Sequence, residues 1–166
     1  MALIENGYLE YDELKGIQKL PDDDRYAKGP VAVIECVQEI PCNPCEAACK
    51  FGAIHVGDPI TNLPTMEHDK CTGCGVCVSK CPGLAIFIVN KAYSEQTATI
   101  GFPYEYMPLP ETGMEVKAVN RKGEIVCDAK VVKVLNPPAF DHTPVVTLEI
   151  PKEFADEVRS MKRLPV

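Results

Sequence analysis

Apolar residues in this chain gather in short bursts rather than long stripes. Residues 31–35, 53–56, 65–67 and 85–89 are compact runs, several of them β-branched, each of strand length and too short for a helix. Between them the residues 46–49 and 78–81 read as single helical turns. From 114 to 119 apolar and polar positions alternate, Asn120-Arg121-Lys122-Gly123 reads as a turn, and residues 124–135 resume a β-rich segment, which together predict a hairpin. After the break at Asn136-Pro137-Pro138 a further strand is expected over 145–150. Phe154, Val158 and Met161 then recur at helical spacing behind Pro151, which suits a first helical turn, so a helix is expected over 151–164.

The stretches between these elements suggest boundaries. Residues 1–29 hold seven acids against four bases, include Asp22-Asp23-Asp24 and end at Gly29-Pro30. They read as an N-terminal extension whose Tyr8, Leu9, Tyr11, Leu14, Ile17 and Leu20 suit packing on the core or, as favoured here, docking on a partner. Residues 101–110 contain three prolines in ten and read as part of an extended connector over 92–110. The expected organisation is α+β: an extension at 1–29, a repeat-built module at 30–91, the connector, and a small β domain at 111–166 ending in a helix.

The module at 30–91 carries the chemistry. Cys71-Thr-Gly-Cys74-Gly-Val-Cys77-Val-Ser-Lys-Cys81-Pro82 spaces four cysteines as C-x2-C-x2-C-x3-C before a proline. Sliding the chain by 32 residues lays Cys42, Cys45 and Cys49 on Cys74, Cys77 and Cys81, and residues 52–56 on 84–88. The position matching Cys71 is Glu39, and the nearest thiol is Cys36, so the first run is C-x5-C-x2-C-x3-C. Each copy is too small to bury a core alone, and the two are expected to pack on each other around what the thiols bind.

Over residues 30–91 the chain resembles the two-cluster bacterial-type ferredoxins, whose cysteine run has this spacing and closing proline. In that family the fourth cysteine of each run serves the other cluster. Carried over by position, the resemblance implies one 4Fe-4S cluster on Cys71, Cys74, Cys77 and Cys49, and another on Cys42, Cys45, Cys81 and the displaced Cys36. If Cys36 does not reach, the alternative at that site is a 3Fe-4S cluster or a cube with an open iron. Lys50 stands where the family has proline. Gly73 and Gly75 bring bare backbone and N-H groups toward the cluster, and Pro82 closes the run, so these three are added as cofactor-contacting residues. Structural zinc is the competing reading of CxxC pairs, but it favours two separated knuckles over three cysteines at successive two-residue gaps.

Composition narrows the rest. At 166 residues and 46% hydrophobic content the chain is ordinary for a globular protein, and nine cysteines without a leader-like start fit a reducing, cytoplasmic setting better than a disulfide scaffold. A net charge of -7 disfavours nucleic acid and anionic membranes, and no apolar run is long enough for membrane insertion. Cys127 reads as strand packing, and His55, His68 and His142 as ordinary scattered residues. No nucleophile with its base, phosphate loop or HExxH run is present, so no catalytic residue is named. The resemblance then implies an electron-transfer subunit without a substrate site of its own. The added arms suggest attachment to larger oxidoreductase subunits, as in iron-sulfur subunits found beside FAD-dependent dehydrogenases. The alternatives are a free ferredoxin-type carrier and an iron-sulfur sensor or scaffold.

Overall fold

Val31 to Ile34 form strand β1, and every one of its four side chains is buried although it lies at the edge of its sheet. That is possible because other chain segments cover it. In the computed structural model, which describes residues 2–165, three short helices precede β1: α1 (Ala2–Asn6), α2 (Tyr11–Ile17) and α3 (Asp23–Ala27). α2 begins with a capping box between Glu10 and Glu13, and α3 with the Asp22 carboxylate accepting from the Arg25 amide, which explains why such acid-rich segments start helices. Leu9, Leu14, Gln18, Arg25 and Tyr26 are buried, so this arm lies on the body of the chain. Of the apolar residues named for it, Leu9 and Leu14 face the core, while Tyr8, Tyr11, Ile17 and Leu20 are partly covered.

The repeat region follows as α4 (Pro44–Ala48), β2 (Ile54–His55), β3 (Thr65–Met66), α5 (Val76–Lys80) and β4 (Ile86–Asn90). β1 pairs antiparallel with β4 from Val31 opposite Val89 to Ile34 opposite Ile86, and β2 pairs with β3. The first strand of the region thus pairs with its last, and the two inner strands pair with each other. α4 and α5 pack side by side between the two pairs.

Beyond β4 come β5 (Thr97–Pro103), β6 (Glu115–Val119), β7 (Ile125–Leu135), β8 (Val145–Pro151) and β9 (Ser160–Met161). With β1 and β4 they make a seven-stranded sheet in the order β1-β4-β5-β8-β7-β6-β9, all of it antiparallel. The architecture is a mixed α/β one, dominated by this sheet, with few and short helices. Ala98, Ile100, Phe102, Val131, Val146, Leu148 and Ile150 fill its centre.

Two expectations need correction. Residues 92–110 are not a plain connector: Thr97 to Pro103 form a central strand between β4 and β8, buried on both faces except at its ends. β5 therefore joins the repeat region to the strands of 111–166 in one continuous sheet. The prolines begin only as this strand ends, and Pro103 is its last residue. The helix expected over 151–164 is also absent. Lys152–Phe154 make a 3-10 turn, Val158 N-H returns to Phe154 C=O, and the chain then extends. Arg159 N-H donates to Val119 C=O and Lys162 N-H to Lys117 C=O, so the edge of β6 takes the amides that a helix would have used. Val158 and Met161 are buried against the sheet without helical geometry. The expected hairpin is present, with β6 and β7 joined across Asn120–Gly123, where the Asn120 side chain accepts from the Lys122 and Glu124 amides.

Candidate metal centre

The two cysteine runs are delivered by the same local structure. In each, the second and third cysteines flank or enter a single helical turn, and the fourth caps it: Cys49 ends α4 and Cys81 ends α5. Pro44 starts α4 from its first turn, while Gly75 caps α5 at φ 81°, a left-handed conformation that glycine adopts without strain. The amide four residues beyond each fourth cysteine returns to its sulfur. Ala53 N-H donates to Cys49 Sγ at 3.3 Å and Ala85 N-H to Cys81 Sγ at 3.4 Å.

The first cysteines arrive differently. Cys71 Sγ accepts from Ala32 N-H at 3.3 Å and Gly73 N-H at 3.4 Å. The outward amide of edge strand β1 is thereby satisfied by sulfur rather than by another strand. Gly73 sits at φ 69°, and a Cβ there would lie 2.6 Å from Pro30 Cβ and 2.9 Å from Pro30 O, so this turn admits glycine alone. Cys36 leaves β1 after Ile34 and Glu35, and its carbonyl accepts from Gln18 Nε2 at 2.6 Å. The five residues between Cys36 and Cys42 form the wider loop that the spacing requires.

Cys36, Cys42, Cys45 and Cys81 line one cavity, together with Ile34, Ile40, Pro44, Pro64, Pro82 and Ile86. Burial pushes the Cys45 thiol up to about 11, and the neighbouring Cys81, Cys42 and Cys36 add to the rise. Cys36 is raised by burial too, with Cys81 and Cys42 contributing. A second group forms around Cys77, pushed up to about 12 by burial first and then by Cys71, Cys74 and Cys49. Cys45 also acts on Cys77, so the two groups are adjacent. Cys74 is exposed and Cys45 and Cys77 are buried, the remaining five of these cysteines being partly covered.

Such a donor set asks for a soft, multinuclear cation. Four apposed thiols remain protonated at neutral pH unless positive charge compensates their thiolates, and iron bound to sulfur supplies it. A zinc ion with Zn-S bonds of about 2.3 Å would draw four sulfurs to within about 4 Å of one another. Among the described residues no three His, Cys, Asp or Glu side chains converge to hold a single ion in that way. A cube that takes one thiolate on each of its four irons spreads its ligands more widely. The residues present fit that group.

Pro82 lines the cavity with Cys81, and Gly73 donates to a cysteine sulfur, whereas Gly75 acts through the α5 cap. Cys127 lies on β7, apart from both groups, with its thiol raised by burial. His55 pairs with exposed Glu67, His68 lies in the 3-10 turn before Cys71, and His142 sits in a left-handed turn; none stands among the grouped thiols.

Sequence reasoning missed the polar residues behind the cysteines. Glu35, next to Cys36, takes two distant arginines, one in the β6–β7 turn and one just before β9: Arg121 Nη2 and Arg159 Nε reach its Oε1 at 2.6 Å, and Arg121 Nε reaches Oε2 at 2.8 Å. Its side chain is 7% exposed, and those of Arg121 and Arg159 are 11% and 4%. Burial opposes the Glu35 charge, yet the two guanidiniums hold its carboxyl below the ordinary range. Arg25 and Gln18 were likewise hidden, since they follow an acid run and an amphipathic turn with no local signature.

Comparison with known proteins matches residues 64–87 to the 4Fe-4S binding domain. The chain is 42% identical over 48 residues to a subunit of the Na(+)-translocating ferredoxin:NAD(+) oxidoreductase complex of Acetobacterium woodii, covering 29% of this chain and 14% of that protein. It is 32% identical over 83 residues to an uncharacterized ferredoxin of Methanocaldococcus jannaschii, covering 49% of this chain and 51% of that one. A selenate reductase subunit of Mesobacillus selenatarsenatis shares 33% identity over 73 residues, 43% of this chain and 24% of that protein. The chain thus spans about half the length of one of these relatives and much less of the others. No solved structure matches it. No helix among the described residues is long and apolar enough to cross a membrane. The cysteine run from Cys71 to Cys81 therefore lies within the segment that matches a 4Fe-4S binding domain, in a chain similar to a ferredoxin and to subunits of a ferredoxin:NAD(+) oxidoreductase complex and of a selenate reductase.

Proposed function

We propose that this chain relays single electrons through two 4Fe-4S clusters, as the iron-sulfur subunit of a larger oxidoreductase complex with an FAD-dependent dehydrogenase as partner. The observation that carries the reading is the division of eight thiols into two adjacent groups, Cys36, Cys42, Cys45 and Cys81 around one cavity and Cys49, Cys71 and Cys74 around Cys77. The clusters supply one-electron chemistry when bound. The chain's own residues hold and insulate them: thiolates fix each iron, the amides of Ala32, Ala53, Gly73 and Ala85 donate to sulfur, and the buried Ile34 and Ile86 exclude water from the first group. Fourth cysteines that cross between halves tie the two groups into one unit.

Docking on a flavoprotein is supported by apolar side chains left open on the cysteine loops. Ile40, Phe51, Ile60 and Leu84 are between 38% and 51% exposed. An apolar patch buried at the core of an interface keeps donor and acceptor close and dry. The free-carrier reading draws on one opposing observation, that the N-terminal arm and the strands of 111–166 pack on the chain itself.

Iron and sulfide analysis with EPR of the reduced protein tests the clusters: close to eight irons and two interacting 4Fe signals are expected. Affinity purification of the protein from its native cells tests the partner. A flavin-containing protein should accompany it in fixed ratio. A monomer that alone restores electron flow between separately purified donor and acceptor enzymes would favour the free carrier.

A further inference from the structure

Arg25 is 6% exposed, yet among the described residues no carboxylate lies within ion-pair distance of its side chain. Its guanidinium is satisfied wholly by backbone carbonyls. Nε donates to His68 O at 2.7 Å and Nη1 to Gly29 O at 3.2 Å. Nη2 donates to Pro30 O at 2.9 Å and to Cys71 O at 2.7 Å. A buried charge without a countercharge is costly and persists only where something else is gained. Carbonyl dipoles offset part of that cost, but they leave the unit charge in place.

The position of this charge is specific. It grips the peptide of Cys71, the first cysteine of the second run, from one side, while the Ala32 and Gly73 amides reach the Cys71 sulfur. It also holds Gly29 and Pro30, the residues that lead into β1, and Pro30 is the wall against which Gly73 is packed. Asp22, Asp24, Glu67 and Asp69 share this surface with Lys19, Lys28 and His68; all four carboxylates are exposed to solvent, and Asp69, which pairs with Lys28, also feels Arg25 without touching it. Around Cys36 the arrangement differs: the arm contributes the neutral Gln18, and the two buried guanidiniums nearby share the Glu35 carboxylate.

We infer that Arg25 is a positioning residue that sets the reduction potential of the cluster on Cys49, Cys71, Cys74 and Cys77, holding the Cys71 loop in place and presenting to it a buried positive charge that no carboxylate contacts. The inference rests on the two-cluster reading above. Adding an electron makes a cluster more negative, so a buried positive charge close by favours the reduced state and raises the potential. Because Arg25 is buried, the interaction is screened less than that of an exposed lysine. The N-terminal arm then has a role inside the chain, tuning one cluster and leaving the other to the Glu35 hub.

The test is an EPR-monitored redox titration of the whole protein, wild type against Arg25→Met and Arg25→Lys, with iron release to a chelator followed in parallel. For R25M, one of the two cluster signals should show a roughly tenfold lower reduced-to-oxidised ratio at fixed ambient potential. That is a negative shift of about 59 mV for a one-electron couple, with the other signal unmoved. R25K keeps the charge but offers one ammonium in place of a planar fork. It should leave both ratios within about threefold of wild type while releasing iron faster. Two intact clusters with unmoved potentials in R25M overturn the assignment of Arg25 alone. A wild-type iron count lacking one cluster overturns the two-cluster reading and this inference with it. If R25M does not hold both clusters, R25K decides, and a tenfold or greater fall there overturns the role given to the charge.

Discussion

The two cysteine runs share the spacing of their last three cysteines and differ in how they are braced. From Cys42 to Cys49 and from Cys74 to Cys81 the chain does the same thing twice, one short helix and one returning amide to the fourth sulfur. Upstream the symmetry ends. Cys71 is fixed closely, by two amides on its sulfur and a guanidinium on its carbonyl, in a turn so tight that Gly73 touches Pro30. Cys36 is reached through a wider loop, with a neutral amide on its carbonyl and a buried ion cluster behind it. What the repeat keeps is the part that, on the two-cluster proposal, meets an inorganic core. What it varies is the part that connects each half to the rest of the chain.

The largest effects should come from removing a buried thiol in either half. Cys45→Ser and Cys77→Ser each take away a ligand from the interior of its group. Each should cost about four irons and one EPR signal. Cys36→Ala sharpens the comparison, because loss of a single iron with a new 3Fe signal, against loss of a whole cube, shows how firmly the other three thiols of that group hold. Cys127→Ala should leave the iron count unchanged, since no other cysteine neighbours that thiol on β7.

Next in size is the ion cluster behind Cys36. Glu35→Gln would leave two buried guanidiniums without their carboxylate, and loss of one partner from such a group costs about 3–5 kcal/mol. Chemical denaturation at neutral pH should show it as a lower midpoint. The same site gives an acid limb. Glu35 is held below its ordinary value of 4.5, so its contribution is complete above that value and is lost as pH falls through the lower folded-state value. Wild type should therefore lose stability steeply below about pH 4, and E35Q should show a shallower slope there. An equal slope in both would mean that the hub is not the acid-sensitive element.

Much of this site was legible in advance because cysteine spacing is local. The offset of 32 residues lays Pro44–Ala48 on Val76–Lys80 position by position, and Cys36, Cys42 and Cys81 act on Cys45 as Cys49, Cys71 and Cys74 act on Cys77; which cluster each thiol holds belongs to the proposal. The sheet was less legible. β5 alternates as Ala98, Ile100 and Phe102 against Thr97, Thr99 and Gly101, but the prolines that follow suggested a connector. Phe154, Val158 and Met161 have helical spacing, yet the free edge of β6 takes the amides of Arg159 and Lys162 and draws the chain out of a helix. The braces were not legible at all. Arg25 finds the Cys71 carbonyl 46 residues away, and Arg159 finds Glu35 across 124. Pairings at that separation follow from topology, and no periodicity announces them.

Gly73→Ala probes the tighter of the two loops. Both its left-handed φ and the contact with Pro30 oppose a methyl group, so the turn must open or Pro30 must move. A loss of about 1–3 kcal/mol is expected from strain of this kind, with faster iron release from the Cys71 group than from the Cys36 group. Gly52→Ala is the control, because a Cβ there meets nothing within 4 Å although φ is 59°. If both substitutions cost the same, backbone conformation alone matters and the Pro30 contact adds nothing.

The smallest effect should fall on Gln18, the neutral counterpart of Arg25. Its amide gives the Cys36 carbonyl a 2.6 Å bond from a residue only 9% exposed. Gln18→Leu keeps much of the buried volume and removes the donor, leaving that carbonyl without the arm's hydrogen bond, at a cost of about 1–2 kcal/mol. No charge is lost, so neither cluster potential should move appreciably. The double variant with R25M separates the two braces. Their target carbonyls lie in different loops, so the stability losses should add within about 0.5 kcal/mol, as for independent sites. A much larger combined loss would show that the arm holds both runs as one cooperative unit, and that bracing of Cys36 depends on the grip at Cys71.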